Sequence, residues 1–542
     1  MSFVFLLELF MKRYLQAIGF FVTGFSLTSV YADNLMQVYN QAAQSDPIFA
    51  QAESTWRSQK LNLPIAEAGY LPQVSVAANA GRYYTITRPQ VVPVPGSFSW
   101  QYGYTLTATQ PVFNLAVWSQ IKGASAGVKA ATATYLAAQQ SLMQRTATAY
   151  FSVLQAYDQL RYTIANKKAV LQQLVTAREQ FRVGLIAITD EYDARSKYDQ
   201  VVAQQIAAQN NLNIQLENLR AITGRSYASL RGLGVHLPLV SPKPNNIDLW
   251  VSTADKQNYS IKAQNYSVIA AMDTIKQQDA GNYPTVGVQG QYSDLHVKDN
   301  PFSYAQDQAN LGLALSYAPI QGGLVIASTK QARYNYATAA GLLEQTHRQV
   351  VNQARSNFLS VLSNVSQIKA DKQSIISAQN ALEATEAGLK VGTRTMVDVL
   401  SALTTLYQAE QQHANDQYAY INNLVALKAA AGTLNVKDLV VINSWLGKSI
   451  QFPKQTSVAT VPTENDQAGV PVDRHANLLK TSVPPKKTIK PTAVAQKSKK
   501  PVVETQSASQ KTVVPASNPV PAQPTAQLPS PRVAMLPQPK ST

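Results

Sequence analysis

The stretch LKVGTRTMVDVL, residues 389–400, decides the reading of this chain, because FRVGLIAITDEY at 181–192 states it in weaker form 208 residues earlier. The offset recurs. TLTATQPVF at 105–113 is answered by LALSYAPIQ at 313–321, YFSVL at 150–154 by FLSVL at 358–362, and LRAITG by LKAAAG, with Gly224 falling on Gly432. AEAGYLPQVSVAANA at 66–80 meets QDAGNYPTVGVQGQY at 278–292 at the slightly longer offset of 212. One chain therefore carries two tandem copies of a unit about 200 residues long.

Within each copy the period changes. No proline occurs between 112 and 237 or between 320 and 452, although the chain holds 28. Such gaps predict long uninterrupted helices, hairpins over about 115–224 and 324–432. Positions 160, 164, 167, 171, 174, 178 and 181 step by four and three, with Leu160, Ile164, Leu171, Leu174 and Phe181 apolar. Met396, Val399, Leu403, Leu406, Tyr420, Leu424 and Leu427 keep the same rhythm in the second copy. That narrow seam is of the coiled-coil kind. A helix from 115 to 182 would run on the order of 100 Å, too long for a compact domain.

The short segments alternate instead. Tyr102, Tyr104, Leu106 and Ala108 interleave with Gln101, Gly103, Thr105, Thr107 and Thr109; Val286, Val288 and Tyr292, and Leu311, Leu313, Leu315 and Tyr317, behave likewise. Strand pairs at about 73–110 and 285–318 are predicted, with tyrosines on the apolar side, as in membrane-barrel strands. An ordinary surface hairpin is the alternative for either pair alone. Four strands cannot close a barrel, since small barrels need about eight. The chain must therefore assemble with copies of itself into an oligomeric duct.

The ends differ from the middle. Lys12 and Arg13 precede the apolar run YLQAIGFFVTGFSLTSV, with Val30 and Ala32 at the cleavage edge; this predicts a secretory signal over 1–32, with Met1 or Met11 as the start. No later apolar run reaches the roughly 18–20 residues of a membrane helix. There are no cysteines, so an exported fold must hold together without disulfides. The net charge is +16, but residues 447–542 hold 13 Lys/Arg against 4 Asp/Glu and 15 of the 28 prolines. The excess thus belongs largely to a tail of disordered composition, which argues against a nucleic-acid partner. The domains read as repeat 1 over 33–240, repeat 2 over 241–446 with an equatorial segment, and the basic tail beyond. His236, His296, His347, His413 and His475 are scattered without ligand spacing, and no phosphate loop or cofactor motif is present. An enzyme reading has no residues to stand on.

The segments NLMQVYNQA, TATAYFSVLQAYDQL, VGLIAITD, QARYNY, VGTRTMVDVL and TTLYQA closely resemble the TolC family of outer-membrane efflux proteins, over about 33–446. The resemblance implies a mixed α and β membrane protein. Three chains would give a twelve-stranded outer-membrane barrel, four strands each, above a long α-helical coiled-coil tunnel crossing the periplasm. It implies a homotrimer in contact with outer-membrane lipid, a periplasmic adaptor, and an inner-membrane transporter of RND, ABC or MFS type that supplies the energy. The duct would serve multidrug efflux, type I secretion or both.

By the same resemblance, Gly184 and Gly392 stand at the tips of the outer and inner hairpins, where the adaptor docks; simple turn geometry is the other reading. Arg394 matches the inner residue of a latch whose outer acceptors are Thr189 and Asp190, and untwisting of the inner hairpins would open the tunnel. An Arg394–Asp398 pair one helical turn apart is the alternative. Asp398 matches an acidic ring at the narrowest point, against a merely solvated charge. Two residues from Met396 is about 200° around the helix, which points Asp398 away from the seam. Ser401 stands where a second acidic ring would be, and Leu389 where a tyrosine joins the latch, so weaker cation selectivity and fewer latch bonds are expected. A periplasmic coiled coil that lines no pore is the rival from another class, but such adaptors usually carry one hairpin, whereas this chain has two.

Overall fold

The computed structural model describes residues 32–86, 97–234, 237–298 and 303–453. The expected signal segment before Ala32, the tail from 454 on, and His236 and His475 lie outside the described residues.

Each repeat runs helices, strand pair, long hairpin. Repeat 1 opens with α1 (Leu35–Ser45), α2 (Pro47–Lys60) and α3 (Asn62–Ala68), continues through β1 (Gln73–Thr85) and β2 (Ser97–Phe113), and then α4 (Leu115–Arg182) and α5 (Ile188–Thr223). After β3 (Ser229–Leu233), repeat 2 follows with α6 (Ile247–Gln257), α7 (Tyr259–Asp279), β4 (Thr285–Lys298), β5 (Tyr304–Ser316), α8 (Leu324–Lys390) and α9 (Met396–Ala430). Then come α10 (Val436–Asn443) and β6 (Leu446–Gln451). Helices α4 and α8 have 68 and 67 residues, each roughly 100 Å long. Sheet passes into helix almost directly: Asn114 follows β2 and caps α4, its side chain accepting from the amides of Ala116 and Val117.

The four long strands form one antiparallel sheet in the order β1-β2-β4-β5, so the two repeats meet at β2 and β4. Register places Val76, Leu106, Tyr292 and Ala309 in one row across all four strands, and Ala77, Thr105, Ser293 and Gln308 in the next. One face is therefore apolar and the other polar. On β2 the apolar side is the exposed one: Tyr102, Tyr104 and Leu106 are 37–43% exposed, while Gln101, Gly103, Thr105 and Thr107 are half-buried. A soluble sheet packs the other way. Leu311 and Leu313 on β5 are 80% and 78% exposed, and among the described residues neither β1 nor β5 has a partner on its outer edge.

The main core sits where the two repeats' helices cross the level of the short sheet. The repeated phrase supplies it: Tyr150, Phe151 and Leu154 of α4 and Phe358 and Val361 of α8 are all buried, together with Leu212, Leu219, Tyr418, Tyr420 and Ile421. Tyr150 donates its hydroxyl to the Arg231 carbonyl at 2.6 Å. Tyr418 donates to Asp158 Oδ2, also at 2.6 Å, which ties α9 to α4. Buried hydroxyls of this kind need such partners.

Two expectations are corrected here. The ordered chain runs past 447, because β6 pairs antiparallel with β3 and the Phe452 amide donates to the Ala228 carbonyl at 2.9 Å. A six-residue strand with Gly447 and Lys448 carries no alternation that a sequence reading could separate from the basic tail. The seam of the first hairpin is also displaced. Its buried positions are Leu160, Asn166, Val170, Leu174 and Ala177, whereas Ile164 is 46% and Phe181 39% exposed. Leu160 and Leu174 hold the seam as expected, while Val170 and Ala177 share it in place of Ile164 and Phe181. The second seam stands as expected, with Met396, Val399, Leu403, Tyr420 and Leu427 buried.

Asp46 supplies a test of the fold. It is 2% exposed, receives two bonds from the Arg145 guanidinium at 2.9 and 3.1 Å, and caps α2 through the Phe49 amide at 2.6 Å. Burial opposes its charge, yet the Arg145 fork and the Phe49 and Ile48 amides outweigh burial and hold the carboxyl below the ordinary aspartate range. The folded value thus lies below the unfolded one, so the stabilisation is present above about pH 4 and fades as pH falls through the folded value. Asp46→Ala should cost about 2–3 kcal/mol at pH 7 in guanidinium unfolding of the purified protein, and the difference should shrink toward pH 2.

Candidate functional site at the hairpin tips

Both long hairpins turn through the same backbone geometry. In the outer one the Gly184 amide donates to the Phe181 carbonyl at 2.9 Å and the Leu185 amide to Gln180 at 2.8 Å. In the inner one Gly392 donates to Leu389 at 3.1 Å and Thr393 to Gly388 at 2.9 Å. All four positions correspond at the 208-residue offset. Gly184 and Gly392 each have φ of +76°, the left-handed conformation that a Cβ disfavours, so turn geometry alone requires glycine there. Both glycines have open space around them.

The two copies diverge two residues after the turn. Thr395 caps α9: its hydroxyl accepts from the Asp398 amide at 3.2 Å, and Asp398 Oδ2 accepts from the Thr395 amide at 2.9 Å and hydroxyl at 3.0 Å. The equivalent outer position is Ala187, which has no side chain to cap with. Asp190, the repeat counterpart of Asp398, consequently has no side-chain hydrogen bond or ion pair among the described residues. The cap amide and hydroxyl of Thr395, with a smaller contribution from the Arg394 charge, hold the Asp398 carboxyl below the usual range.

The expected latch residues, on the tips of different hairpins, are thus not joined within one chain. Arg394 makes no side-chain hydrogen bond or ion pair among the described residues, with Asp398 or with Thr189 and Asp190. Its Cβ and Cγ lie over Gly388, where an added Cβ would stand 2.7 Å from Arg394 Cγ. Thr189 and Asp190 occupy the first turn of α5, and Ser401 is exposed one turn beyond Asp398. The hairpins are joined instead by apolar packing: Met396 and Leu400 of α9 are buried with Val170, Leu174, Ala177, Ala194 and Val201, and Leu389 and Ile186 close the edge.

Two polar contacts escaped the sequence reading. Arg178 reaches Glu191 at 3.0 Å across the outer turn, both side chains largely covered. Thirteen residues separate them, so no helical spacing flagged the pair. Higher up, Asp371 of α8 faces Asp416 of α9, which accepts from Gln412 at 3.0 Å and is 8% exposed. Burial first, then the hydrogen bond and charge of Asp416, push the Asp371 carboxyl up to about 6.

The geometry is that of a membrane-channel subunit: a sheet turned apolar side out, its outer edges unpaired among the described residues, set on two long helical hairpins. Comparison with known proteins gives its family. The family described as outer membrane efflux protein matches residues 38–225 and 250–433. The chain is 37% identical over 472 residues to outer membrane protein TolC of Escherichia coli, covering 84% of this chain and 93% of that protein. It is 24% identical to alkaline protease secretion protein AprF of Pseudomonas aeruginosa, over 76% and 87% of the two chains. Its fold matches VceC of Vibrio cholerae, with a TM-score of 0.66 at 20% identity, over 73% of this chain and 96% of that one. It also matches the open state of MtrE of Neisseria gonorrhoeae, with a TM-score of 0.61 at 18% identity, over 74% and 91%. The chain belongs to the TolC family of outer-membrane efflux proteins. It is a non-enzymatic channel of the Gram-negative outer membrane that extends into the periplasm, and its family is one of trimers.

Two outcomes follow from the tip and the helices above it. Thr395→Ala removes the cap, about 1 kcal/mol, so amide exchange over residues 396–399 should speed roughly fivefold by mass spectrometry. Asp371 has a folded value above its unfolded one, so its neutral form favours the fold below about pH 4 and that contribution is lost as pH rises through about 6. Asp371→Asn should therefore raise the denaturation midpoint at pH 8 and leave it nearly unchanged at pH 4.

Proposed function

We propose that three copies of this chain form a passive exit duct whose periplasmic end is held shut by Arg394 reaching the Thr189 hydroxyl and the Asp190 carboxylate. Opening is then an untwisting of the inner hairpins, α8 and α9, away from the outer pair. The observation that carries this reading is the difference between equivalent carboxylates. Asp398 is engaged by the Thr395 cap, while Asp190, behind Ala187, is left to accept an external donor. The exposed Arg394 is a donor of matching chemistry, and an arginine–carboxylate bond in a wet setting is modest and reversible, as a gate requires.

Asp398 keeps its charge when capped, so three copies would ring the narrow end with carboxylates and favour cations. Ser401 adds no second ring. The open space around Gly184 and Gly392 suits the approach of a periplasmic adaptor to both tips. An inner-membrane transporter of RND, ABC or MFS type supplies the energy, since the family to which the chain belongs is one of channels. Resemblance to TolC and to a protease secretion protein supports export of small molecules, of proteins, or of both.

Single-channel conductance in planar bilayers tests the gate. Wild type should give small, cation-preferring steps, and Arg394→Ser and Asp190→Asn should each give clearly larger ones, with the double variant no larger than either. Asp398→Asn should reduce cation preference without that rise. Unchanged steps in both Arg394→Ser and Asp190→Asn would remove the latch.

A further inference from the structure

The outward face of the four-stranded sheet changes character toward the β1–β2 and β4–β5 turns. Register sets Arg82 opposite Trp100 and Trp100 opposite Lys298, so the three side chains stand in one row on the apolar face. At about 4.8 Å between neighbouring strands, the two strands that carry the cations lie roughly 10 Å apart, on either side of the one that carries Trp100. Both are exposed, and Trp100 is 56% exposed. The Arg82 guanidinium lies 4.6 Å from the centre of the Phe98 ring and Lys298 Nζ lies 5.5 Å from that of Tyr102. Neither cation has a carboxylate partner among the described residues.

The rows beneath fix the depth of this site. The next holds Ala80, Tyr102, His296 and Ala305, and the one after it Ala78, Tyr104, Asp294 and Asp307. Asp294 is taken by His296 at 3.0 Å, and that imidazole stacks on Tyr102 with centroids 5.0 Å apart. From Asp294 to Val286 the β4 residues on this face are Tyr292, Gly290, Val288 and Val286, beside Leu311, Leu313 and Leu315 of β5. Eight residues at the usual strand rise and barrel tilt span roughly 20 Å, close to the apolar band of an outer-membrane barrel. Lys298 and Arg82 then stand roughly 10 Å beyond that band, at the level of headgroups rather than acyl chains. The carboxylates two rows lower keep an anionic headgroup from sinking further.

We infer that Arg82, Trp100 and Lys298 form a headgroup site for a lipid carrying two phosphates on a sugar core, one phosphate at each cation and the sugar face against the indole. The chemistry favours this occupant over a simple phospholipid. Two separated cations match two separated phosphates, and a rigid aromatic surface between them matches an extended, weakly polar ring face. A single phosphodiester would engage one cation and leave the other unpaired. A guanidinium adds bidentate geometry at one end, and lysine a point charge at the other. This site rests on the apolar face of the sheet meeting lipid, as the duct requires.

Lipid retention by the purified trimer tests the site by native mass spectrometry, with bis-phosphoryl lipid A, monophosphoryl lipid A, phosphatidylglycerol and inorganic phosphate as probes. Bis-phosphoryl lipid A should be retained most tightly. Arg82→Ala and Lys298→Ala should each weaken it about fivefold and together roughly twentyfold or more, as expected for two cations at an anionic surface. Trp100→Ala should narrow the preference over phosphatidylglycerol, and millimolar inorganic phosphate should not compete. Equal retention of the bis- and monophosphorylated forms, or unchanged retention by the double variant, would overturn the site. Phospholipids carrying a nitroxide on the headgroup separate that failure from a failure of orientation. They should quench the fluorescence component that Trp100→Phe removes, and absence of quenching would overturn the inference through the facing of the sheet.

Discussion

A β-strand in hydrocarbon must have every backbone amide and carbonyl paired, because no water is present to take an unmade hydrogen bond. In this chain the constraint falls on β1 and β5, whose outer edges have no partner among the described residues. An isolated sheet with those edges and an apolar outer face would aggregate. Closure with further copies removes both problems at once. It also sets the organisation below, since β2 enters α4 through one residue, Asn114, and the sheet therefore delivers the first hairpin to a fixed place around the common axis.

The duplicated plan explains how one chain can build both walls of such an assembly. The turns of the two hairpins share their two defining hydrogen bonds, Gly184 matching Gly392 and Leu185 matching Thr393. Against that shared frame a small change has a mechanical consequence. Thr395 in the inner copy engages the carboxylate of Asp398, while Ala187 in the outer copy leaves that of Asp190 without a partner among the described residues. Near-identical backbones thus present different chemistry, one helix start stitched to itself and the other available to a neighbour. The apolar packing of Met396 and Leu400 against Val170 and Ala194 brings the copies close enough for that difference to matter.

Patterns of period two and period three-and-a-half were legible directly. Tyr102, Tyr104 and Leu106 announce an outward face because their alternation needs only the strand's own pleat. Met396, Val399 and Leu403 announce a seam because large apolar residues at those steps have one place to go. The first hairpin was read less well for a physical reason: its seam uses Val170 and Ala177, and the conspicuous Ile164 and Phe181 serve another face. Size on a helix does not say which of two apolar faces meets the chain's own partner helix. The pairing of β6 with β3 was hidden because a short strand of Gly447, Lys448 and Ser449 is defined by its partner and not by its own pattern.

By itself the sequence determined the duplication, the four long helices, the two strand pairs and the glycine turns, since each follows from local backbone preferences repeated at fixed spacing. It also placed the residues of the tip, Gly184, Thr189, Asp190, Gly392, Arg394, Asp398 and Ser401, on their elements. Only the tertiary structure decided which carboxylates are engaged and which are free. Arg178 with Glu191, Asp371 with Asp416, and Arg82 beside Trp100 and Lys298 are pairings between segments. A hydrogen bond or ion pair depends on a few tenths of an ångström between groups from different elements, and no periodicity within one element encodes that distance.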